Sequence, residues 1–135
     1  MKQFVSLLIA LALTSCAAAE STANELHSDV LSALSLTSET ELFVQQIEGG
    51  HMLTNFQTAH AGYLRGEAER EAKEARASEK KSQDTVGFDS CAKQLESLSG
   101  ELRLIGTHRD PKTLDEIRRR VAAIREALLV ASSSQ

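Results

Sequence analysis

The chain has 135 residues, of which 41% are hydrophobic and 25% are charged, so it is long enough for one folded domain and too apolar to be disordered. Aromatic residues make up only 4%, and one Pro and seven Gly are too few turn-formers for a many-stranded β fold. The formal net charge of −4 argues against nucleic acid as a partner, because binding to a phosphate backbone relies on positive surface.

The first residues of the chain have the pattern of a secretory signal peptide. Lys2 supplies a positive charge, and residues 4–13 form an apolar run of about ten residues that leads into small residues. A membrane-spanning helix needs roughly 20 apolar residues, so this run is too short to remain in a bilayer. A buried N-terminal helix is the alternative, but the run has no polar face.

Two cleavage sites fit this segment. One follows Ala19, after the small residues 17–19. The other precedes Cys16, because Leu13-Thr14-Ser15-Cys16 resembles the lipobox of bacterial lipoprotein precursors. The resemblance implies a signal peptide at 1–15, acyl chains on Cys16 and on its amino group, and a short tether at 16–23. Position 17 is alanine rather than aspartate, which resembles the signals of lipoproteins that are sent to the outer membrane. The resemblance therefore implies an outer-membrane protein that faces the periplasm, and plain secretion is the alternative.

A helical domain is predicted over residues 24–131. Leu26, Val30 and Leu34 recur every four residues and predict a first helix over 24–36. Ser38 followed by Glu41 has the spacing of a capping box, which predicts that a second helix starts there. Residues 49–50 are adjacent glycines and predict a break, with one continuous helix over 39–82 as the alternative.

Residues 51–82 are predicted to form one long helix whose two halves differ. The first half carries large apolar residues, whereas the second half has nothing apolar that is larger than alanine. Ala68, Ala72 and Ala75 form a thin stripe there, so this half is expected to project, or to pack through alanine against another helix. Segment 65–82 is therefore a candidate surface for self-association or for a partner helix.

The last third of the chain predicts two paired helices. Apolar residues recur there at alternating spacings of three and four, as in heptad seams; they are Phe88, Cys91, Leu95, Leu98, Leu102 and Ile105, then Leu114, Ile117, Val121, Ile124 and Leu128. Gly106 is suited to end the first helix, and Asp110 with Pro111 to begin the second. The predicted fold is all-α: an antiparallel bundle of three or four helices with a C-terminal heptad hairpin and a disordered tail at 132–135.

Candidate binding residues are few. Cys91 lies on the first heptad seam and is expected to be a buried, unreactive thiol. His60, Tyr63 and Glu67 form a polar strip on the long helix, which is either a ligand patch or a bundle edge with polar tips in water. The histidines lack metal-ligand spacing, so no metal or other cofactor is predicted, although a bundle that brought His27 to His60 would offer a site.

No catalytic motif is present in the sequence. It contains neither a G-x-S-x-G elbow nor a glycine-rich phosphate loop, and neither Cys-x-x-Cys nor His-Glu-x-x-His. The sequence therefore predicts a non-enzymatic interaction or structural lipoprotein of the bacterial envelope, held to the membrane by acyl chains on Cys16. The alternative is a periplasmic helical bundle that binds a small ligand, a metal or haem.

Overall fold

The computed structural model describes the backbone of residues 2–82 and 85–133 and the side chains of residues 20–82 and 85–133. Within these ranges the chain forms four helices and no strand: α1 (Lys2–Glu48), α2 (Thr54–Lys81), α3 (Thr85–Ile105) and α4 (Pro111–Ser133). The helices pack against one another as a helical bundle, which confirms the all-α prediction. The side chains of residues 1–19, Cys16 included, lie outside the described part, as do residues 134–135 of the predicted tail.

Helix α1 is continuous, so the predicted capping box at Ser38 and Glu41 is wrong. The Ser38 hydroxyl donates to the carbonyl oxygen of Leu34 at 2.9 Å instead of capping a new helix. Thr37 and Thr40, both fully buried, likewise donate to carbonyls one turn earlier. Each hydroxyl therefore finds its acceptor inside the helix, and nothing forces the backbone to break there. Residues 17–23, predicted as a tether, also belong to α1.

The break at residues 49–50 is confirmed. Helix α1 ends at Glu48, and Gly50 has a φ of 72°, a left-handed conformation that favours glycine. The amide of Gly50 donates to the carbonyl of Ile47 at 3.0 Å and closes the turn. The chain resumes as α2 at Thr54, so the alternative of one helix through this region is wrong.

Helices α3 and α4 carry the predicted apolar seams, and every seam residue is buried. Helix α3 ends at Ile105, directly before Gly106. The Asp110 carboxylate accepts a hydrogen bond from the backbone amide of Thr113 at 2.9 Å, which is the N-cap predicted for α4. Residues from all four helices join in one hydrophobic core, among them Leu26, Leu64, Phe88 and Leu114.

The second half of α2 does not project; it packs through alanine against another helix, which is the second of the two predicted arrangements. Ala68, Ala72 and Ala75 are buried, and α2 forms its most extensive interface with α3. Small side chains let two helix backbones approach closely, so alanine suffices for burial. Arg76 strengthens this interface by pairing with both Asp89 and Glu96 on α3.

No helix in the described part of the chain combines the length and the apolar character that crossing a bilayer would require.

Candidate functional site

Three rings line up on the outside of the first half of α2, and we call Phe56, His60 and Tyr63 the aromatic strip. Their spacing of four and three residues places them on one helix face. The Phe56 and His60 ring centroids are 5.5 Å apart with nearly parallel planes, and those of His60 and Tyr63 are 6.2 Å apart. Phe56 is 56% exposed and Tyr63 is 61% exposed, so both offer ring surface to a ligand.

Helix α1 holds the central ring of the aromatic strip from behind. Phe43 meets the His60 ring edge-on, with centroids 4.7 Å apart. Glu39 Oε1 lies 3.6 Å from His60 Nε2, within the range of an ion pair when the imidazole is protonated. The imidazole is half-buried between helices, whereas its two neighbours on α2 face solvent. The arrangement suits stacking on a planar group beside a carboxylate.

Glu67 lies one turn beyond Tyr63 and shares a small cleft with it. The cleft has a volume of about 200 Å³ between α1 and α2, and Glu39 lines its other wall. The Glu67 carboxylate already accepts a hydrogen bond from Arg70 at 2.8 Å. The structure therefore brings His60 and Tyr63 into contact and puts Glu67 beside Tyr63, but Glu67 has its own cationic partner.

A metal or haem site built from His27 and His60 does not form. His60 contacts Glu39, and His27 is exposed twelve residues before Glu39, which is about 18 Å along α1. In the part of the chain that the structure describes, no three His, Cys, Asp or Glu side chains are grouped so as to hold a metal ion.

Cys91 is buried in the core, as predicted, and is a free thiol. Burial raises the pKa of Cys91 to about 12, and the negative charges of Asp29 and Glu71 add to the effect. The thiolate, which is the reactive form, is therefore scarce at neutral pH, and the side chain acts as a small hydrophobe.

Gln57 is a buried polar residue at the start of α2, and no local sequence pattern pointed to it. Its amide nitrogen donates to the carbonyls of Ile105 and His108, at 2.7 and 2.9 Å. Its amide oxygen accepts from Arg109 Nε at 2.7 Å, and the same guanidinium donates to the Met52 carbonyl at 3.0 Å. Gln57 thus ties the start of α2 to the loop between α3 and α4.

Part of the aromatic strip was also missed. Phe56 could have been found from the sequence, because it lies four residues before His60, at helical spacing. Glu39 and Phe43 could not, because they come from α1 and only the packing of α1 on α2 brings them to the imidazole.

The chain matches no protein-family model, and no curated protein sequence or solved structure matches it either.

Proposed function

We propose that this chain is the precursor of a lipoprotein of the bacterial envelope, with a non-enzymatic interaction or structural role. The observation that carries the proposal is Leu13-Thr14-Ser15-Cys16 at the end of the only long apolar run of the sequence. Processing before Cys16 and acylation of its thiol would fix the protein to a membrane. Ala17 favours the outer membrane, with the protein facing the periplasm.

The physical basis of the anchor is the burial of acyl chains. Each buried methylene contributes about 0.8 kcal/mol; one chain holds a protein only marginally, whereas two or three hold it firmly. Leu26, the first buried side chain among those that the structure describes in α1, follows Cys16 by ten residues, which is about 15 Å of helix. The anchored body would therefore stay close to the bilayer surface.

The proposed body is an antiparallel four-helix bundle with a heptad hairpin formed by α3 and α4. Residues later in one helix contact residues earlier in the neighbouring helix, which supports an antiparallel topology. On α1, Glu41 and Glu48 pair with Arg125 and Arg118 of α4, respectively. A bundle packed around one continuous hydrophobic core suits a spacer or a scaffold.

A non-enzymatic role rests on the sequence, which contains none of the common catalytic motifs. The interaction surface is no longer proposed at the alanines of α2, because they are buried inside the bundle. Crosslinking in intact cells, with the anchored protein as bait, would identify a protein partner at any other surface.

The test of the anchor compares the two cysteines of the chain. Cells that express the full chain are grown with labelled palmitate, and we expect label and membrane fractionation for the natural sequence. Cys16→Ala should lose both, whereas Cys91→Ala, the matched control, should keep both. Mass spectrometry that found an unmodified chain beginning at Glu20, or one that keeps Met1, would refute the proposal.

A second candidate function, binding of a planar small ligand such as haem, is favoured by the exposed rings of the aromatic strip. Haemin added to the purified protein should give a shifted Soret band that is lost in His60→Ala and retained in the exposed control His27→Ala. An unshifted band in the natural sequence would eliminate this candidate.

A further inference from the structure

An open groove runs along the outer face of the α2–α3 interface. Its volume is about 650 Å³, within the range that accommodates a small organic ligand. Ala72 and Ala77 form its floor, and Glu96 and Ser99 of α3 form the opposite wall. The groove exists because alanine stands where a larger side chain would fill the space. Its surface is mostly apolar, since the alanine methyls are flanked by the hydrocarbon stems of long cationic side chains.

The carboxylates of the groove already have partners. Glu96 pairs with Arg76, whose guanidinium also pairs with Asp89 and Glu79. Glu69, at the other end, pairs with Arg65 at 3.5 Å and accepts a hydrogen bond from the Ser99 hydroxyl at 3.1 Å. Arg65 and Arg76 therefore offset part of this negative charge, and Lys93 offsets a further part through its ion pair with Asp89.

Three lysines at the groove have no such partner. Lys73, Lys80 and Lys81 line it and are exposed, and none forms an ion pair with any residue that the structure describes. Lys73 and Lys80 are seven residues apart, which is about two helical turns, so they lie on the same side of α2. An apolar floor bordered by unpaired cations complements a molecule with a hydrocarbon chain and one negative head.

We propose that this groove binds a long-chain fatty acid as its free carboxylate. The hydrocarbon chain would lie over Ala72 and Ala77, and the carboxylate would sit between the ammonium groups of Lys73 and Lys80. Ser78, in the same stretch of α2, donates a hydrogen bond to Glu25 of α1 at 2.7 Å, so the groove is at the end of the bundle nearest Cys16. Binding there does not depend on the acylation of Cys16, and the two proposals can fail separately.

The test uses the protein isolated after expression of the full chain and mixed with nanodiscs of phosphatidylcholine, so that labelling can be measured whether or not Cys16 anchors the protein. A diazirine-bearing palmitate is added and photolysed, and the labelled peptides are mapped by mass spectrometry. We expect label in α2 and α3 around Lys73 and Ser99. Excess oleate should suppress the label, and oleyl alcohol, which lacks the charge, should not.

Two variants probe the two halves of the ligand. Lys73→Gln with Lys80→Gln should weaken oleate competition roughly tenfold, since each exposed ion pair has a modest effect. Ala77→Trp should block the groove and abolish the label, with circular dichroism showing that the helices persist. The matched control, Arg103→Gln with Lys112→Gln, removes the same charge from exposed positions on α3 and α4 and should bind oleate normally.

Label that maps elsewhere, or that is unchanged in the lysine variant, would overturn the proposal. So would competition by oleyl alcohol that equals competition by oleate, because the lysines would then have no role. Nanodiscs that contain phosphatidylglycerol provide the last arm. If they suppress the label as fully as oleate does, the lysines recognise lipid headgroups at a membrane surface, and the fatty-acid proposal is wrong.

Discussion

Replacing Gln57 with methionine tests whether this buried amide holds the end of the bundle together. Gln57 is only 1% exposed, and its amide nitrogen supplies the hydrogen bonds to the Ile105 and His108 carbonyls. Methionine has a similar length and fills the same space, so the change removes hydrogen bonds with little loss of packing. It leaves two carbonyls without their donor and Arg109 Nε without its acceptor, while the guanidinium keeps its bond to the Met52 carbonyl.

The expected cost follows from those lost partners. A buried carbonyl that loses its hydrogen bond costs about 1–3 kcal/mol, and Arg109 can turn to water because it is exposed. We therefore expect Gln57→Met to lower the free energy of unfolding by about 3 kcal/mol. A domain of this size is stable by only about 5–15 kcal/mol, so the loss is easily measured.

Urea unfolding followed by circular dichroism at 222 nm gives the two free energies. The matched control is Gln46→Met, because Gln46 is exposed on α1 and donates to no buried carbonyl among the described residues. We expect the control to change stability by less than about 0.5 kcal/mol. If the two variants were equally stable, the bridging role of Gln57 would be refuted.

Three further predictions concern α1, α2 and the contact between α1 and α3. A Cβ added at Gly66 would contact no other atom, so Gly66→Ala should stabilise the fold by about 0.5–1 kcal/mol. Gly87→Ala should destabilise the fold by about 1 kcal/mol, because the new methyl group would clash with Leu26. Urea unfolding measures both changes. Ser38→Ala should change stability by less than about 0.5 kcal/mol, because its hydroxyl bonds within a continuous helix, whereas loss of a true cap would cost about 1 kcal/mol. Burial, and then the charge of a neighbouring glutamate, raise the pKa of Asp29 in the folded protein. The contribution of Asp29 to the free energy of unfolding is therefore complete below the pKa that it has in the unfolded chain, and it is lost as the pH rises through its pKa in the folded protein. Asp29→Asn should therefore gain stability relative to the natural sequence as urea unfolding is repeated from about pH 3 to pH 7.

Each of these predictions has a result that would contradict it. Stabilisation by Gly87→Ala would mean that the contact with Leu26 is looser than the structure has it. A loss of about 1 kcal/mol in Ser38→Ala would restore the capping box and a break in α1. For Asp29, the opposite sign is expected of Asp115→Asn, because Arg118 holds the pKa of Asp115 below its usual range. If both variants followed pH in the same direction, the assignment of these shifts would be wrong.

The elements that local sequence controls were predicted well. Alternating spacings of three and four identified every buried seam residue of α3 and α4, because a helix repeats the same face at that interval. Gly50 and Asp110 marked a helix end and a helix start, since a left-handed turn and an N-cap are each set by one residue. His60 and Tyr63 were placed together for the same reason, as neighbours on one helix face.

The sequence by itself thus determined that the chain is helical, where α3 and α4 bury their apolar seams, and that Cys16 follows a short apolar run. The tertiary structure alone decided whether the alanines of α2 are buried, and which side chains surround Gln57 and the lysines of the groove. The reason is the distance along the chain over which each kind of interaction acts. Helical periodicity and caps act between residues at most four apart, whereas a buried amide or a groove depends on partners from another helix, whose position no local pattern encodes.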